Sequence, residues 1–458
     1  LSICLNFVFS KKDKNQQLNK MDYFRYKDGQ LYCEEVNVNE LAKKVETPFY
    51  LYSQRTIQNH YSGLSEAFSK LNPLICYSIK NCSNLHVLKL LADMGAGMDV
   101  VSKGELFRAI QVGVNPSKIV FAGVGKSSDE IRTAIERGIG WINIESEEEL
   151  LNINRIASEL KKSINVAIRI NPNVYDPRTH QKTATGIQDS KFGIDMLQAK
   201  RLYIDFLNNE YVKLTGLHIH IGSPIYSGDP YQKAITKVFD FIDELRSEGV
   251  AINMIDIGGG FLAKYHGNES VDSWDEYSDQ IVPLLQNFVN QGGQVVLEPG
   301  RSIAANAGIL VTKVQYRKQG VHKKFIIVDT GMSHLIRPAF YDAYHFIWPV
   351  STNSEYQLGQ NRVVSPQLEE TLDKYDVVGP ICESSDFLAK DRALPAVEQG
   401  DLLAVFTAGS YAMSMASQYN SIPRPAEILV SDDTVRVIRR RETYADLVAL
   451  EVESPEIL

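Results

Sequence analysis

Between residues 74 and 298 one pattern recurs eight times: a short apolar run of β-favouring residues, then a stretch whose apolar residues return at helical spacing. The strand-like runs are Leu74 to Ile79, Met98 to Val101, Ile119 to Ala122, Trp141 to Ile144, Val166 to Ile170, Leu214 to His220, Ile252 to Ile257 and Val295 to Glu298. Helical segments between them include Lys103 to Val112, Ser127 to Arg137, Glu147 to Leu160, Tyr231 to Ser247 and Trp274 to Gln291. Eight alternating units over roughly 225 residues, with short apolar strands, fit a closed (β/α)8 TIM barrel better than an open doubly wound sheet. After Arg301 the texture changes. Gly308 to Gln315, Lys324 to Val328, Asp376 to Val378, Asp401 to Phe406, Ala426 to Val430 and Val435 to Arg439 read as strands separated by turns, while Asn353 to Pro366 reads as a loop. The expected organisation is a disordered extension at residues 1–20 and an N-terminal segment at 21–50. A barrel at 51–302 follows, then a second, mainly β domain at 303–458 that the N-terminal segment joins. Within that segment Gln30 to Cys33 and Pro48 to Tyr52 read as β pieces around a helix, Val38 to Val45.

Composition narrows the function classes. A net charge of -8 over 458 residues, with no basic stripe carrying aromatics, argues against nucleic-acid binding. No apolar run reaches membrane-spanning length. Five widely spaced cysteines, Cys4, Cys33, Cys76, Cys82 and Cys382, form neither a disulfide framework nor a metal-ligand spacing, and fit a reducing, cytoplasmic setting. Leu1 to Phe9 is too short for a membrane helix and has no basic segment before it. With Met21 opening a more regular segment, the first twenty residues read as an extension or a translation-start artefact.

Barrel chemistry collects at the C-terminal ends of the strands, and there the unusual residues fall. Strand one ends at Lys80, strand six at His218-Ile219-His220 with Gly222 and Ser223, strand seven at Asp256-Ile257-Gly258-Gly259-Gly260, and strand eight at Glu298-Pro299-Gly300-Arg301. A partly desolvated strand-end lysine with a lowered amine pKa can condense with an aldehyde, although such a lysine alone more often snorkels to solvent. Glycines beside an arginine offer backbone N–H groups to a phosphate. A reactive lysine with a phosphate cradle implies pyridoxal 5'-phosphate, which also needs an acid facing its pyridine nitrogen. Glu298 is the candidate, since a carboxylate ending an apolar strand is otherwise costly. His220 is read as lying flat against the ring and His218 as packing or hydrogen-bonded in the core, with a contribution from both histidines as the alternative.

Together with Tyr77-Ser78-Ile79-Lys80, Met98-Asp99-Val100-Val101-Ser102, Gly104-Glu105-Leu106, Ser190-Lys191-Phe192-Gly193, Cys382-Glu383-Ser384-Ser385-Asp386 and Gly409-Ser410-Tyr411-Ala412-Met413, these motifs make residues 21–458 resemble the fold-type III pyridoxal-phosphate decarboxylases, most of all the branch acting on meso-2,6-diaminopimelate. The resemblance implies Lys80 on the cofactor aldehyde, His220 on the ring and Glu298 at the ring nitrogen. It also implies Asp99 in the cofactor site, and Ser223, Gly258, Gly259, Gly260, Gly300, Arg301 and Tyr411 around the phosphate. It implies a homodimer with shared sites, Cys382 of one copy returning a proton at Cα and Glu383 reaching the partner's pocket. A substrate with an amino-acid group at each end needs a cation and a carboxylate for its distal end. Arg301, Arg337, Tyr341, Glu383 and Tyr411 match those roles. Ser78 and Asn81-Cys82 depart mildly from the family pattern. Ornithine, lysine, arginine or carboxynorspermidine decarboxylases, an amino-acid racemase, and a non-catalytic regulatory homologue are the rival readings. Arg337 with Glu383 argues against the first group, and retention of Lys80, Glu298, Arg301 and Cys382 argues against the last.

Overall fold

The computed structural model describes residues 22–180, 191–359 and 361–451. The expected extension at residues 1–20 lies outside them, as does Ser190. Strands β1 (Phe24–Lys27), β2 (Gln30–Cys33) and β3 (Val36–Asn37) form a small antiparallel sheet. Strand β4 (Phe49–Ser53) follows, buried at all five positions. The next eight strands are β5 (Leu74–Ser78), β6 (Gly97–Val100), β7 (Ile119–Phe121), β8 (Trp141–Ile144), β9 (Ile164–Arg169), β10 (Val212–His218), β11 (Met254–Asp256) and β12 (Gln294–Leu297). They run parallel in chain order, and β12 pairs back onto β5 to close the barrel. Each expected barrel strand is present, with ends displaced by two residues at most. Serines that start the connecting helices secure the alternation: Ser102, Ser127 and Ser146 each accept an N–H bond from the third residue onward.

A strand turns only every second residue into the barrel. Cys76, Val120, Trp141, Ala167, Met254 and Val296 form an apolar cluster separate from the main core. Gly97 and Gly216 complete this ring: a Cβ on Gly97 would lie 2.9 Å from Cys76 Sγ, and one on Gly216 would lie 2.7 Å from both Ala167 Cβ and the Trp141 ring. Advancing two residues on every strand gives Ser78, Asp99, Ala122, Asn143, Arg169, His218, Asp256 and Glu298. The barrel thus carries an apolar floor and, one layer nearer its C-terminal mouth, a ring that is polar except for Ala122.

Eight further strands follow among the described residues: β13 (Gly308–Gln319), β14 (Lys324–Val328), β15 (Ile347–Pro349), β16 (Asp373–Val378), β17 (Phe387–Leu394), β18 (Leu402–Val405), β19 (Ala426–Ser431) and β20 (Thr434–Arg439). With β4 they form one nine-stranded sheet in which β4 lies between β13 and β19. Strands β15 and β17 carry little sequence signal. The first is three residues long and ends in proline, and the second runs through Lys390-Asp391-Arg392, which defeats any apolar pattern. A buried ion pair, Arg362 to Asp22 at 2.5 Å, ties the start of the described chain to the loop before β16.

His334 is buried in this domain, its Nδ1 3.0 Å from Thr330 Oγ1. Burial pushes its pKa from 6.5 down to about 4. The unfolded chain therefore binds a proton that the folded one refuses between those values, and stability falls as pH drops through that window. Replacing His334 with Gln should flatten the acid limb of a stability-versus-pH curve by up to about 3 kcal/mol. Parallel curves for the two proteins would contradict the assignment. Gly216→Val, whose side chain would crowd Trp141, Ala167 and Met254, should cost about 1–3 kcal/mol of unfolding free energy, measured by denaturant titration.

Candidate active site at the barrel mouth

A cavity of about 680 Å³ opens above the polar ring, and Lys80, His220, Ser223, Glu298, Arg301, Arg337, Tyr341 and Tyr411 all reach its wall. Strand β5 ends at Ser78, so Lys80 sits on the short 3-10 turn Ile79–Asn81. Tyr411 N–H donates to Asn81 O at 2.8 Å and Ser410 Oγ to Asn81 Oδ1 at 2.8 Å, so the second domain grips this turn. Lys80 Nζ lies 2.9 Å from Asp99 Oδ2, and its side chain is 34% exposed, whereas Asp99 is fully buried. Burial works against the Lys80 ammonium, but Asp99 and then Glu298 outweigh it and raise the pKa above the ordinary lysine value. The expected lowering is therefore reversed. Two carboxylates stand close enough to overcome desolvation, and the resting amine is an ion-paired ammonium.

Glu298 is 3% exposed. Burial opposes its charge, yet His218 first and then Lys80 hold the carboxyl well below its usual range. Its Oε2 is 3.6 Å from His218 Nε2, and its buried Oε1 has no hydrogen-bond partner among the described residues. His218, expected to be a packing residue, instead lines the cavity beside Glu298. Burial, with Arg169 next, pushes the His220 pKa well down, so that imidazole is neutral. The glycine run presses its backbone against strand β12. A Cβ on Gly259 would fall 2.1 Å from Glu298 O, and Gly258 and Gly260 hold φ of +71° and +106°. At Gly300 a Cβ would lie 2.7 Å from Asn81 Nδ2, so the turns after β12 and β5 are in close contact.

Arg301 opens the helix Arg301–Ala304 and reaches back over the cavity. Its Nη1 donates to Tyr265 Oη at 2.8 Å and its Nε to Ser223 Oγ at 3.3 Å, with the guanidinium 4.8 Å from the centre of the Tyr411 ring. Arg337 Nη1 lies 2.8 Å from His345 Nε2 and its guanidinium 4.8 Å from the Tyr265 ring. Both arginines are only 8% exposed, and neither has a carboxylate in ion-pair range among the described residues. The cavity therefore has an acidic floor and a cationic wall whose charge is uncompensated, which suits a ligand with a protonated ring nitrogen and more than one anionic group.

Cys382 and Glu383 stand apart from this wall. Cys382 is exposed, its N–H donating to Asn420 Oδ1 at 2.9 Å, and Glu383 accepts hydrogen bonds from Tyr419 Oη and Ser385 Oγ. Tyr265 and His345, which hold the two arginines, escaped the sequence reading, since each lies in an irregular stretch without spacing to mark it. Asn143 could have been found from strand alternation, which turns it inward.

Comparison with known proteins agrees with this geometry. The pyridoxal binding domain of the pyridoxal-dependent decarboxylases matches residues 54–305. Diaminopimelate decarboxylase of Aquifex aeolicus is 43% identical over 422 residues, spanning 92% of this chain and 96% of its own. The crystal structure of diaminopimelate decarboxylase from M. jannaschii in complex with L-lysine superposes with a TM-score of 0.87 at 37% identity, covering 95% of this chain and 99% of that one. The Helicobacter pylori enzyme, also solved with L-lysine, gives 0.83 at 38% identity, covering 91% of this chain and 99% of that one. With the barrel, the cavity and these relatives in agreement, the chain belongs to the pyridoxal-dependent decarboxylases, in the diaminopimelate decarboxylase family, whose cofactor is pyridoxal phosphate.

Proposed function

We propose that this protein decarboxylates meso-2,6-diaminopimelate to L-lysine and CO2, the last step of lysine synthesis. The observation that carries this reading is the pair of buried, carboxylate-free arginines sharing one cavity with Lys80 and Glu298. Arg301, Ser223, Gly300, Tyr411 and the backbone of Gly258, Gly259 and Gly260 suit the cofactor phosphate, and the open Oε1 of Glu298 suits a ring N–H. When bound, pyridoxal phosphate supplies a ring that accepts the electron pair left as the Cα–carboxylate bond breaks. The chain's residues do the rest. Asp99 Oδ2 stands ready to take the proton that the Lys80 amine must lose. Ionised Glu298 would hold a proton at the ring nitrogen, and neutral His220 would add no charge to the site. Arg337 and Arg301, with Tyr341 and Tyr411, hold the substrate's distal carboxylate, a group that ornithine lacks. The L-lysine in the two solved relatives is the product expected of this reaction.

Because Cys382 and Glu383 do not line the cavity of their own chain, a homodimer is proposed in which each reaches the partner's site. Glu383 would hold the distal ammonium and the Cys382 thiol would return a proton to Cα. Arg337→Ala should raise the KM for meso-diaminopimelate by roughly 10–100-fold, measured by CO2 release, and an unchanged KM would remove Arg337 from the substrate site. Inactive Lys80→Ala and Cys382→Ala proteins, unfolded and refolded together, should regain about a quarter of wild-type activity, because half the dimers would carry one intact site. A mixture as inactive as its parents would count against shared sites.

A further inference from the structure

Beside the Glu298 carboxylate lies a second buried acid that the reading above does not use. Asp256 ends β11 and is fully buried, level with His218 of the neighbouring strand. One of its oxygens accepts the Gly258 N–H at 2.8 Å and the other accepts Asn143 Nδ2 at 3.0 Å. Ligand atoms of His218, Asp256 and Glu298 lie within 4.8 Å of one another. Two carboxylates this close, away from water, do not both ionise. Glu298 has His218 at 3.6 Å, and that ring and the Lys80 ammonium both hold its pKa down. The titratable groups facing Asp256 are Glu298 from β12, His218 from β10 and the Cys76 thiol from β5, with Asp99 of β6 beyond it and only the neutral Asn143 from β8. The proton therefore belongs to Asp256, and burial followed by Glu298 drives its pKa in that direction.

We propose that Asp256 is a positioning residue: as a neutral acid it donates its O–H to the Glu298 carboxylate and so keeps Glu298 ionised and fixed as the acceptor for the cofactor's ring nitrogen. The proposal rests on that reading of Glu298. Asn143 and the Gly258 N–H set the orientation by occupying the acceptor positions of Asp256, which leaves its proton for Glu298.

The test compares holoenzymes of the wild type, Asp256→Asn and Asp256→Ala. Infrared spectra of the wild type at neutral pH should contain a protonated-carboxyl C=O stretch that shifts in heavy water and disappears in Asp256→Asn. With 15N-labelled pyridoxal phosphate bound, the ring-nitrogen resonance should report a protonated ring in the wild type and in Asp256→Asn, whose amide can donate the same bond. In Asp256→Ala the ring nitrogen should lose its proton as pH becomes mildly alkaline, and cofactor affinity should weaken about tenfold. If Asp256→Ala is unfolded by circular dichroism, Asp256→Leu, which keeps the side-chain shape without a donor, replaces it. Absence of the carboxyl band, or an Asp256→Asn resonance that follows the alanine variant, overturns the proposal. So does a stoichiometric divalent cation that the wild type holds and Asp256→Asn loses, because Asp256 would then be an ionised ligand. Glu298→Gln serves as the control. A resonance insensitive to that change refutes the reading of Glu298, while the infrared band still judges Asp256.

Discussion

The chemistry of this chain depends on a ring of polar side chains held where a barrel ordinarily packs hydrocarbon. A buried carboxylate or imidazole is costly unless a neighbour neutralises or bonds it. Here the members are served by one another and by two residues just outside the ring: Ser78 bonds Asp99, Lys80 pairs with Asp99, Glu145 with Arg169, Asn143 with Asp256, and His218 faces Glu298. The apolar layer beneath, with Trp141 filling the space that Gly216 leaves and Cys76 standing against Gly97, closes the bottom of the barrel against water. The field between Lys80, Asp99 and Glu298 is strong for that reason.

Much of this was legible in the sequence, because a barrel writes its plan in two simple periods. Period-two apolar runs alternating with helical ones gave all eight barrel strands. The rule that barrels react at strand ends then led to Lys80, His220, Glu298 and Arg301, which do share one cavity. What stayed hidden has physical reasons. The protonation of Lys80 depends on Asp99 and Glu298, which are distant in sequence, so burial alone predicted the wrong sign. His218 was assigned to packing because a histidine beside another histidine has many possible partners until the strand register is known. Strands β15 and β17 are short or charged and take their conformation from the sheet they join. Tyr265 and His345 are brought to the arginines by loops that no local pattern specifies.

The two domains also act on each other beside Lys80. Asn81, next to Lys80, bonds through both backbone and side chain to the Ser410–Tyr411 stretch of the second domain, and Tyr411 holds a left-handed φ of +54° while it lies under Arg301. A shift between the domains would thus be felt at the amine, at the arginine on the opposite wall and at the turn that joins them. The mainly β domain in this sense helps to build the cavity at the barrel mouth, although the barrel supplies most of its lining.

The position of β4 has a consequence for how the chain is made. Its hydrogen-bonding partners begin at Gly308 and Ala426, so a fully apolar strand, Phe49-Tyr50-Leu51-Tyr52, leaves the ribosome long before either exists. The whole barrel is synthesised and can close while that strand still lacks both neighbours. Such distant pairing is slow to form and leaves a sticky edge exposed in the interval, so during synthesis the risk of misassembly lies at β4 and not in the barrel.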